Sequence, residues 1–437
     1  MKIYLDMIGC RLNQSELEII ARQFSSAGHR LVGDPSKADL AVVNTCTVTA
    51  AAAADSRKTI RRIARSGVKN IISTGCWSEL EPEAALQLPG VTAVVKNSQK
   101  EGLVAALLSL EEDELNLEPL QRVPIPGSRQ RTRSFIKAQD GCRHQCAFCI
   151  TTVARGDSRS EPLSKIIREG NGAVRSGIKE IVLTGVQLGS WGKDLSPRAE
   201  LADLVDALLE RTEIPRIRLS SIEPWDVSPT LIDLLRQDRI ARHLHLPLQS
   251  GSASTLRRMA RAINPERYQR LIEQIRSRVP EAAITTDILT GFPGETDEEF
   301  QEGLDFIIQM DFAGGHVFTY SAREGTPAVD FPDQVPHPVR KTRSAEIRKA
   351  LQASAERYRK AFLNAELSVL WEQALEGETG SGKLIGLTDN YLRVEAEGPA
   401  DLWNRFSRVR LDELIPGGVL GTILAKERFL EISRRRL

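Results

Sequence analysis

The 437-residue chain has no apolar run approaching the length of a membrane span, which excludes a helical membrane protein. It has almost no net charge, with 59 Lys and Arg against 58 Asp and Glu. A protein gripping nucleic acid over its whole surface would be strongly basic, so any such contact must be local. A cleavable leader is not expected, because Asp6 interrupts the first apolar stretch. A reducing, cytoplasmic setting follows, and a chain this long needs no disulfide staples. No repeat stands out beyond a recurring strand-helix unit. Cysteine is also scarce, with six in all, and their placement is the most informative feature of the chain.

Cys142, Cys146 and Cys149 form Cys-x-x-x-Cys-x-x-Cys within Asp140–Cys149, with no fourth thiol nearby. Three thiolates can hold three irons of a cubic iron-sulfur cluster and leave the fourth iron open for a ligand. A closed zinc site would need a fourth donor, and His144 is the candidate that keeps this alternative open. Inert buried thiols fit poorly with such polar flanks. The other three each close an apolar run: Met7-Ile-Gly-Cys10, Val42-Val-Asn-Thr-Cys46 and Ile71-Ile-Ser-Thr-Gly-Cys76. In parallel sheets ligands gather at the carboxyl ends of strands, so these thiols are expected to converge on one edge. Two groups of three, with none left over, suggest two open clusters.

Composition is ordinary for globular α/β material, at 41% hydrophobic and 27% charged, and the length suggests about three domains. Strand patterns at 2–9, 39–45, 70–75 and 92–96 alternate with helical patterns near 14–27, 50–66, 80–88 and 100–110. The reading is a doubly wound parallel α/β domain over residues 1–115. Acidic residues 111–114 and Pro124-Ile-Pro-Gly127 mark a linker. A second alternation over 128–360 places strands near 134–139, 179–185, 215–221, 242–249, 282–290 and 315–320. Thr296-Asp-Glu-Glu299 is a helix-capping pattern. Six such strands predict a partial (β/α)6 barrel with its active groups at the strand C-termini. A charged amphipathic helix over 340–360 leads to residues 364–437. Alternating stretches at 367–375, 383–397, 406–411 and 420–427 there predict a small antiparallel β-barrel.

Other features carry less. Basic runs at Arg57–Arg65, Arg129–Arg133 and Arg434–Arg436 are solvated faces by default, and each is also a candidate phosphate contact. Gly377–Lys383 nearly spells a phosphate-binding P-loop, but Leu384 replaces the hydroxyl that would hold magnesium, so a hairpin loop is expected. His29, His243, His245, His316 and His337 form no clustered pair at helical spacing. Trp77, directly after Cys76, suits either core packing or shielding of a cluster.

Gly9-Cys-Arg-Leu-Asn13, Asn44-Thr-Cys46, Thr74-Gly-Cys76, the Cys142 triad, His245–Gly251 and Thr285–Glu295 together resemble the radical S-adenosylmethionine methylthiotransferases over nearly the whole chain. Gly9–Gln14, Leu219–Pro224 and Phe318–Pro327 are most similar to the branch acting on threonylcarbamoyladenosine beside the tRNA anticodon. Other branches act on isopentenyladenosine or on a ribosomal-protein aspartate. The resemblance implies two 4Fe-4S clusters and S-adenosylmethionine. The Cys142, Cys146, Cys149 cluster would bind and reductively cleave S-adenosylmethionine to a 5′-deoxyadenosyl radical. The Cys10, Cys46, Cys76 cluster would carry the sulfur that is methylated and joined to the substrate. An aromatic C–H carbon is too inert for acid-base chemistry, which is why a radical is needed.

The resemblance also implies a C-terminal TRAM barrel that helps bind the tRNA anticodon arm, and an electron donor such as flavodoxin or ferredoxin. The proteins supplying sulfur are not named by any residue. Thr184, Gly185, Ser220, Glu223, Gln249 and Asp287, at strand ends, and Phe148, beside the last thiol, are the expected S-adenosylmethionine contacts. For the polar ones, a helix cap or strand-end hydrogen bond is the competing role. Arg155 and Arg159 are candidates for bidentate contact with phosphate or carboxylate. Asp157 and Val153 depart from the family pattern in that loop. The competing function is a zinc-dependent RNA-binding protein.

Overall fold

The computed structural model describes residues 1–111, 115, 125–126, 132–375 and 381–426. Outside the described residues, wholly or in part, fall the 111–114 and Pro124–Gly127 linker signals, the runs at Arg129–Arg133 and Arg434–Arg436, and the glycine-rich Gly377–Lys383 segment.

Strict alternation along the first strands decides the N-terminal architecture. In β1 (Lys2–Met7) and β3 (Leu40–Thr45), with β2 (Arg30–Leu31) between them in sequence, Ile3, Leu5, Leu40 and Val42 face one core. Tyr4, Ala41 and Val43 face another. Period-two patterning with both faces apolar requires helices on both sides. Helix Arg11–Ser26 covers the first face with Leu17, Ile20, Ala21 and Phe24, spaced to share one helical stripe. Helix Ala50–Arg65 covers the second with Ala53, Ile60 and Ile63. With β4 (Ile71–Gly75) and β5 (Val91–Val95) the sheet is parallel, in the order β2-β1-β3-β4-β5. The doubly wound expectation holds. The single helix expected at 80–88 is instead two short ones, Cys76–Leu80 and Pro82–Leu86. Pro82 forces Glu81 out of the helical region and breaks the run.

The second alternation gives β6 (Arg133–Lys137), a small ribbon of β7 (Gln139–Asp140) and β8 (Arg159–Ser160), then β9 (Glu180–Thr184), β10 (Arg216–Leu219), β11 (His243–His245), β12 (Ala283–Thr290) and β13 (Gly314–Thr319). Parallel pairing runs β6-β9-β10 and β11-β12-β13, joined by bridges Ile217–Ile240 and Ser221–His245. Six parallel strands thus curve into an open barrel. Helix Arg11–Ser26 lies against edge strand β6, and helix His337–Lys360 packs on edge strand β13. The helix Asp297–Met310 starts in the expected capping box of Thr296 and Glu299.

The last strands are β14 (Glu366–Leu375), β15 (Ser381–Thr388), β16 (Arg393–Pro399), β17 (Phe406–Ile415) and β18 (Gly418–Lys426), closed as β14-β15-β16-β18-β17. Inward positions such as Val369, Trp371, Leu384, Val394, Val409 and Val419 fill the lumen. The stretch 383–397 divides into two strands around a turn at 389–392, because Tyr391 adopts a left-handed φ of 68°. Lys383 belongs to this hairpin and pairs with Glu395 at 2.5 Å.

The turn docks on the floor of the open barrel. Buried Glu180 binds Arg218 Nε at 2.8 Å and Arg216 Nη1 at 3.4 Å. These arginines donate to the carbonyls of Thr388, Asp389 and Leu387. The Tyr391 ring stacks on His243 at 4.0 Å and 4°, under the Arg218 guanidinium. Its hydroxyl accepts from Arg11 of the N-terminal unit at 3.2 Å. No helix among the described residues is long and apolar enough to cross a membrane.

Candidate active site

Cys10, Cys46 and Cys76 stand just beyond β1, β3 and β4, three adjacent parallel strands, so sheet order alone brings them to one edge. Cys10 is exposed at the N-terminus of helix Arg11–Ser26, while Cys46 and Cys76 are buried. Two glycines make the approach possible. Gly9, at φ 115°, would carry a Cβ 2.7 Å from Cys46 Cβ and 2.9 Å from its Sγ. Gly75, at φ 96°, would place one 2.5 Å from Thr45 N. Burial pushes the Cys46 thiol up to about 11, with Cys10 and Cys76 adding to the rise. Burial also raises Cys76, against the pull of Arg155 and Lys100.

The second triad follows β7 in a single loop, with all three thiols half-buried. His144 N–H points at Cys142 Sγ at 3.4 Å, and Gln187 Oε1 lies 3.3 Å from the same sulfur. Burial pushes Cys142 up to about 11, helped by Cys149 and Cys146. Burial raises Cys146 too, opposed by Arg261, whose Nη1 donates to its sulfur at 3.7 Å. Neutral thiols are poor ligands, and bound metal ions deprotonate them outright, so both donor sets suit a group bringing its own positive charge. His144 does not complete a zinc site. Its Nε2 accepts from Trp225 Nε1 at 3.2 Å, and among the described residues no three His, Cys, Asp or Glu side chains close on a single ion.

Of the expected S-adenosylmethionine contacts, Thr184 ends β9 and Gly185 and Ser220 directly follow β9 and β10, whereas Glu223 and Gln249 lie in the turns beyond β10 and β11, Asp287 sits inside β12, and Phe148 is on the thiol loop. Ser220 Oγ, just past β10, and Asp287 Oδ1, in β12, are buried with no hydrogen-bond partner among the described residues. Orphaned polar atoms of this kind fit a polar ligand, because burying them unpaired is costly. Asp287 Oδ2 is taken by His245 Nε2 at 3.2 Å. Thr184 closes β9, and its carbonyl accepts from Ala138. At Gly185 a Cβ would come 2.9 Å from Gln139 Oε1. Gln249 has a left-handed φ of 74° and is clamped by backbone bonds to Asp287 and Leu289. Phe148 packs against Phe292 in a T-shaped pair. Glu223 is spoken for: Arg261 Nη2 and Nη1 bind its two oxygens at 2.6 and 3.3 Å.

Between the triads lies a buried ionic network. Arg155, expected to meet a ligand anion, bonds Glu16 at 2.9 Å, Asp140 at 3.0 Å and Asn13 Oδ1 at 2.7 Å. Its carboxylate partners belong to the protein. Lys100 Nζ adds a bond to Glu16 at 2.7 Å and one to Asn44 Oδ1 at 3.2 Å. Burial opposes the Glu16 charge, but Lys100 and Arg155 outweigh it and hold the carboxyl well below its usual range. Arg159 is largely exposed and spends its donors on the carbonyls of Arg155 and Asp157. Trp77 is fully buried in the sheet core, which supports its packing role. Of this network the sequence reading held Arg155; Arg261, Gln187, Glu16 and Lys100 escaped it, since an isolated polar residue in a helical or loop pattern carries no signal of burial.

Barrel and thiol loop together have the form of a radical S-adenosylmethionine enzyme, and residues 136–307 match the model of the Radical SAM superfamily. Residues 2–96 match Uncharacterized protein family UPF0004. The chain is 34% identical to Threonylcarbamoyladenosine tRNA methylthiotransferase MtaB of Bacillus subtilis, with 92% of each chain covered. It is 35% identical to the protein of that name from Thermotoga maritima, with 96% of each covered. Among solved structures, the radical S-adenosylmethionine methyltransferase TsrM of Kitasatospora setae shares the fold, with a TM-score of 0.55 at 16% identity, over 75% of this chain and 77% of that one. The chain therefore belongs to the radical S-adenosylmethionine methylthiotransferase family. It is an enzyme, and its cofactors are S-adenosylmethionine and two 4Fe-4S clusters.

Proposed function

We propose that the protein inserts a methylthio group at C2 of N6-threonylcarbamoyladenosine next to the tRNA anticodon. The observation that carries the reading is the pair of cysteine triads, one on strand ends of the N-terminal sheet and one on the first loop of the barrel, separated by a shared buried network. Relatives named for this reaction, matched over nearly their whole length, support the substrate.

In this reading Cys142, Cys146 and Cys149 hold the cluster that meets S-adenosylmethionine, and Cys10, Cys46 and Cys76 hold the auxiliary one. Bound there, the clusters supply the electron that splits the sulfonium and the sulfur that is methylated. The chain's own residues do the positioning. Ser220 Oγ and Asp287 Oδ1 offer hydrogen-bonding atoms that no group among the described residues uses. Thr184 and Gly185 present strand-end backbone, Gln249 the turn beyond β11, and Phe148 an apolar face. Glu223 acts with Arg261, which it fixes beside Cys146.

Domains at 1–115, 128–360 and 364–437 divide the work, the last gripping the anticodon arm as a TRAM-like barrel. A flavodoxin or ferredoxin would supply electrons in the cytoplasm, and separate proteins would restore the sulfur. Nucleoside analysis of tRNA from cells lacking the gene tests the reading. Loss of the 2-methylthio form of threonylcarbamoyladenosine is expected. Its persistence, with no second enzyme making it, would move the substrate to isopentenyladenosine or a ribosomal-protein aspartate. Mössbauer spectra accounting for one cubane per chain would end the two-cluster assignment.

A further inference from the structure

One segment of the core spans the gap between the triads. Beyond β13, the Ser321 hydroxyl accepts from the N–H of Ala50, the first residue of the helix that follows the Cys46 loop, at 3.4 Å. At the other end Ala328 N–H donates to the carbonyl of Ala147, between Cys146 and Cys149, at 2.9 Å. Arg323 stands between these anchors. Its carbonyl is pinned by the amide and hydroxyl of Thr326 at 3.1 and 2.7 Å. Its Nη2 donates to the hydroxyl of Thr47, the residue after Cys46.

Among the described residues that is the one bond the guanidinium makes. Nε is buried without an acceptor, and no carboxylate pairs with the group. The contrast with its neighbours is sharp, because Arg155 and Arg261 are both bound by protein carboxylates. A half-buried cation with most of its donors unspent is costly unless an anion arrives to meet it. The gap between the triads is where a substrate must lie to be reached from both.

We propose that Arg323 is the receptor for an anionic group of the substrate nucleotide, fixing that nucleotide between the two triads. The proposal rests on the tRNA reading above. The nucleotide carries two kinds of oxyanion, the carboxylate of its threonyl substituent and its flanking phosphodiesters, and a guanidinium fork suits either.

The test offers the reconstituted holoenzyme an anticodon stem-loop RNA in three forms: native, with the threonyl carboxylate amidated, and with the flanking phosphates replaced by methylphosphonates. Arg323→Met, Arg323→Lys and Thr47→Val are compared with wild type by KM, kcat and RNA affinity, at matched iron content. Arg323→Met is expected to lower kcat/KM on native RNA at least about tenfold, chiefly through KM, with partial recovery in Arg323→Lys. That penalty should vanish on the RNA lacking the anion that Arg323 receives: the amide identifies the carboxylate, the methylphosphonate the phosphate. Thr47→Val, which removes the one bond that aims the guanidinium, should show the same RNA dependence at a smaller size. An equal penalty on all three RNAs, or none on any, would overturn the proposal. Wild-type enzyme that leaves native RNA unmodified would instead overturn the substrate reading, and the proposal with it.

Discussion

The two cysteine triads differ in how the chain builds them. The core triad occupies eight consecutive residues on one loop, so its geometry is local. The N-terminal triad is drawn from positions 10, 46 and 76, and it exists because three parallel strands lie side by side. A local site tolerates distant change and fails through its own loop. A site assembled by a sheet inherits the stability of the whole domain.

The largest contrast should come from removing one thiol of each triad. Cys146→Ala is expected to reduce 5′-deoxyadenosine formation to background. Cys46→Ala should spare that cleavage and stop methylthio transfer, as chromatography of nucleosides and adenosyl products would reveal. Uncoupled cleavage surviving the first substitution would contradict the division of roles. Next in size is Arg261→Met, which strips the cation from beside Cys146 and leaves Glu223 unpaired. A loss of roughly 10–100-fold in S-adenosylmethionine cleavage is expected, with the N-terminal iron retained.

Glu16→Gln should then test the shared network. Arg155 and Lys100 would lose a buried charge partner, at a cost of about 3 kcal/mol in denaturant unfolding. The interface with the C-terminal barrel gives a pH test of its own. Burial opposes the Glu180 charge, but Arg218 and Arg216 hold its carboxyl down to about 2. A depressed carboxyl stabilises the fold above its unfolded value, near 4.5, and that contribution is lost as pH falls toward 2. The stability gap between wild type and Glu180→Gln should therefore narrow from pH 5 to pH 3; a constant gap would refute the pairing. The smallest effect belongs to Arg62→Ala, which breaks an exposed pair with Asp6 on β1 and should cost under about 1 kcal/mol, leaving iron content unchanged.

The sequence pattern revealed the Cys142 triad by its close spacing and the other three thiols because each ended an apolar run, and period-two alternation then fixed where those runs must lie. It placed the barrel strands for the same reason. Of the Glu16–Lys100–Arg155–Asp140 network only Arg155 stood out, as a bidentate phosphate or carboxylate contact; its pairing with Glu16 stayed hidden, since the two lie far apart in sequence and Glu16 and Lys100 each resemble an ordinary surface charge. Arg261 was masked by its neighbours Arg257 and Arg258, which do sit on a helix surface. β2 is two residues long, too short for any periodicity to register. The break near residue 81 was readable in Pro82, whose ring forbids the helix that the apolar spacing suggested.

Tyr391 makes the C-terminal barrel a stopper as well as a companion. Truncation after the helix His337–Lys360 would uncork the vessel, wetting the His243 ring and stripping carbonyl partners from Arg216 and Arg218. A lesion in this distal module should therefore register as a leak in the reaction chamber, whatever else the module does.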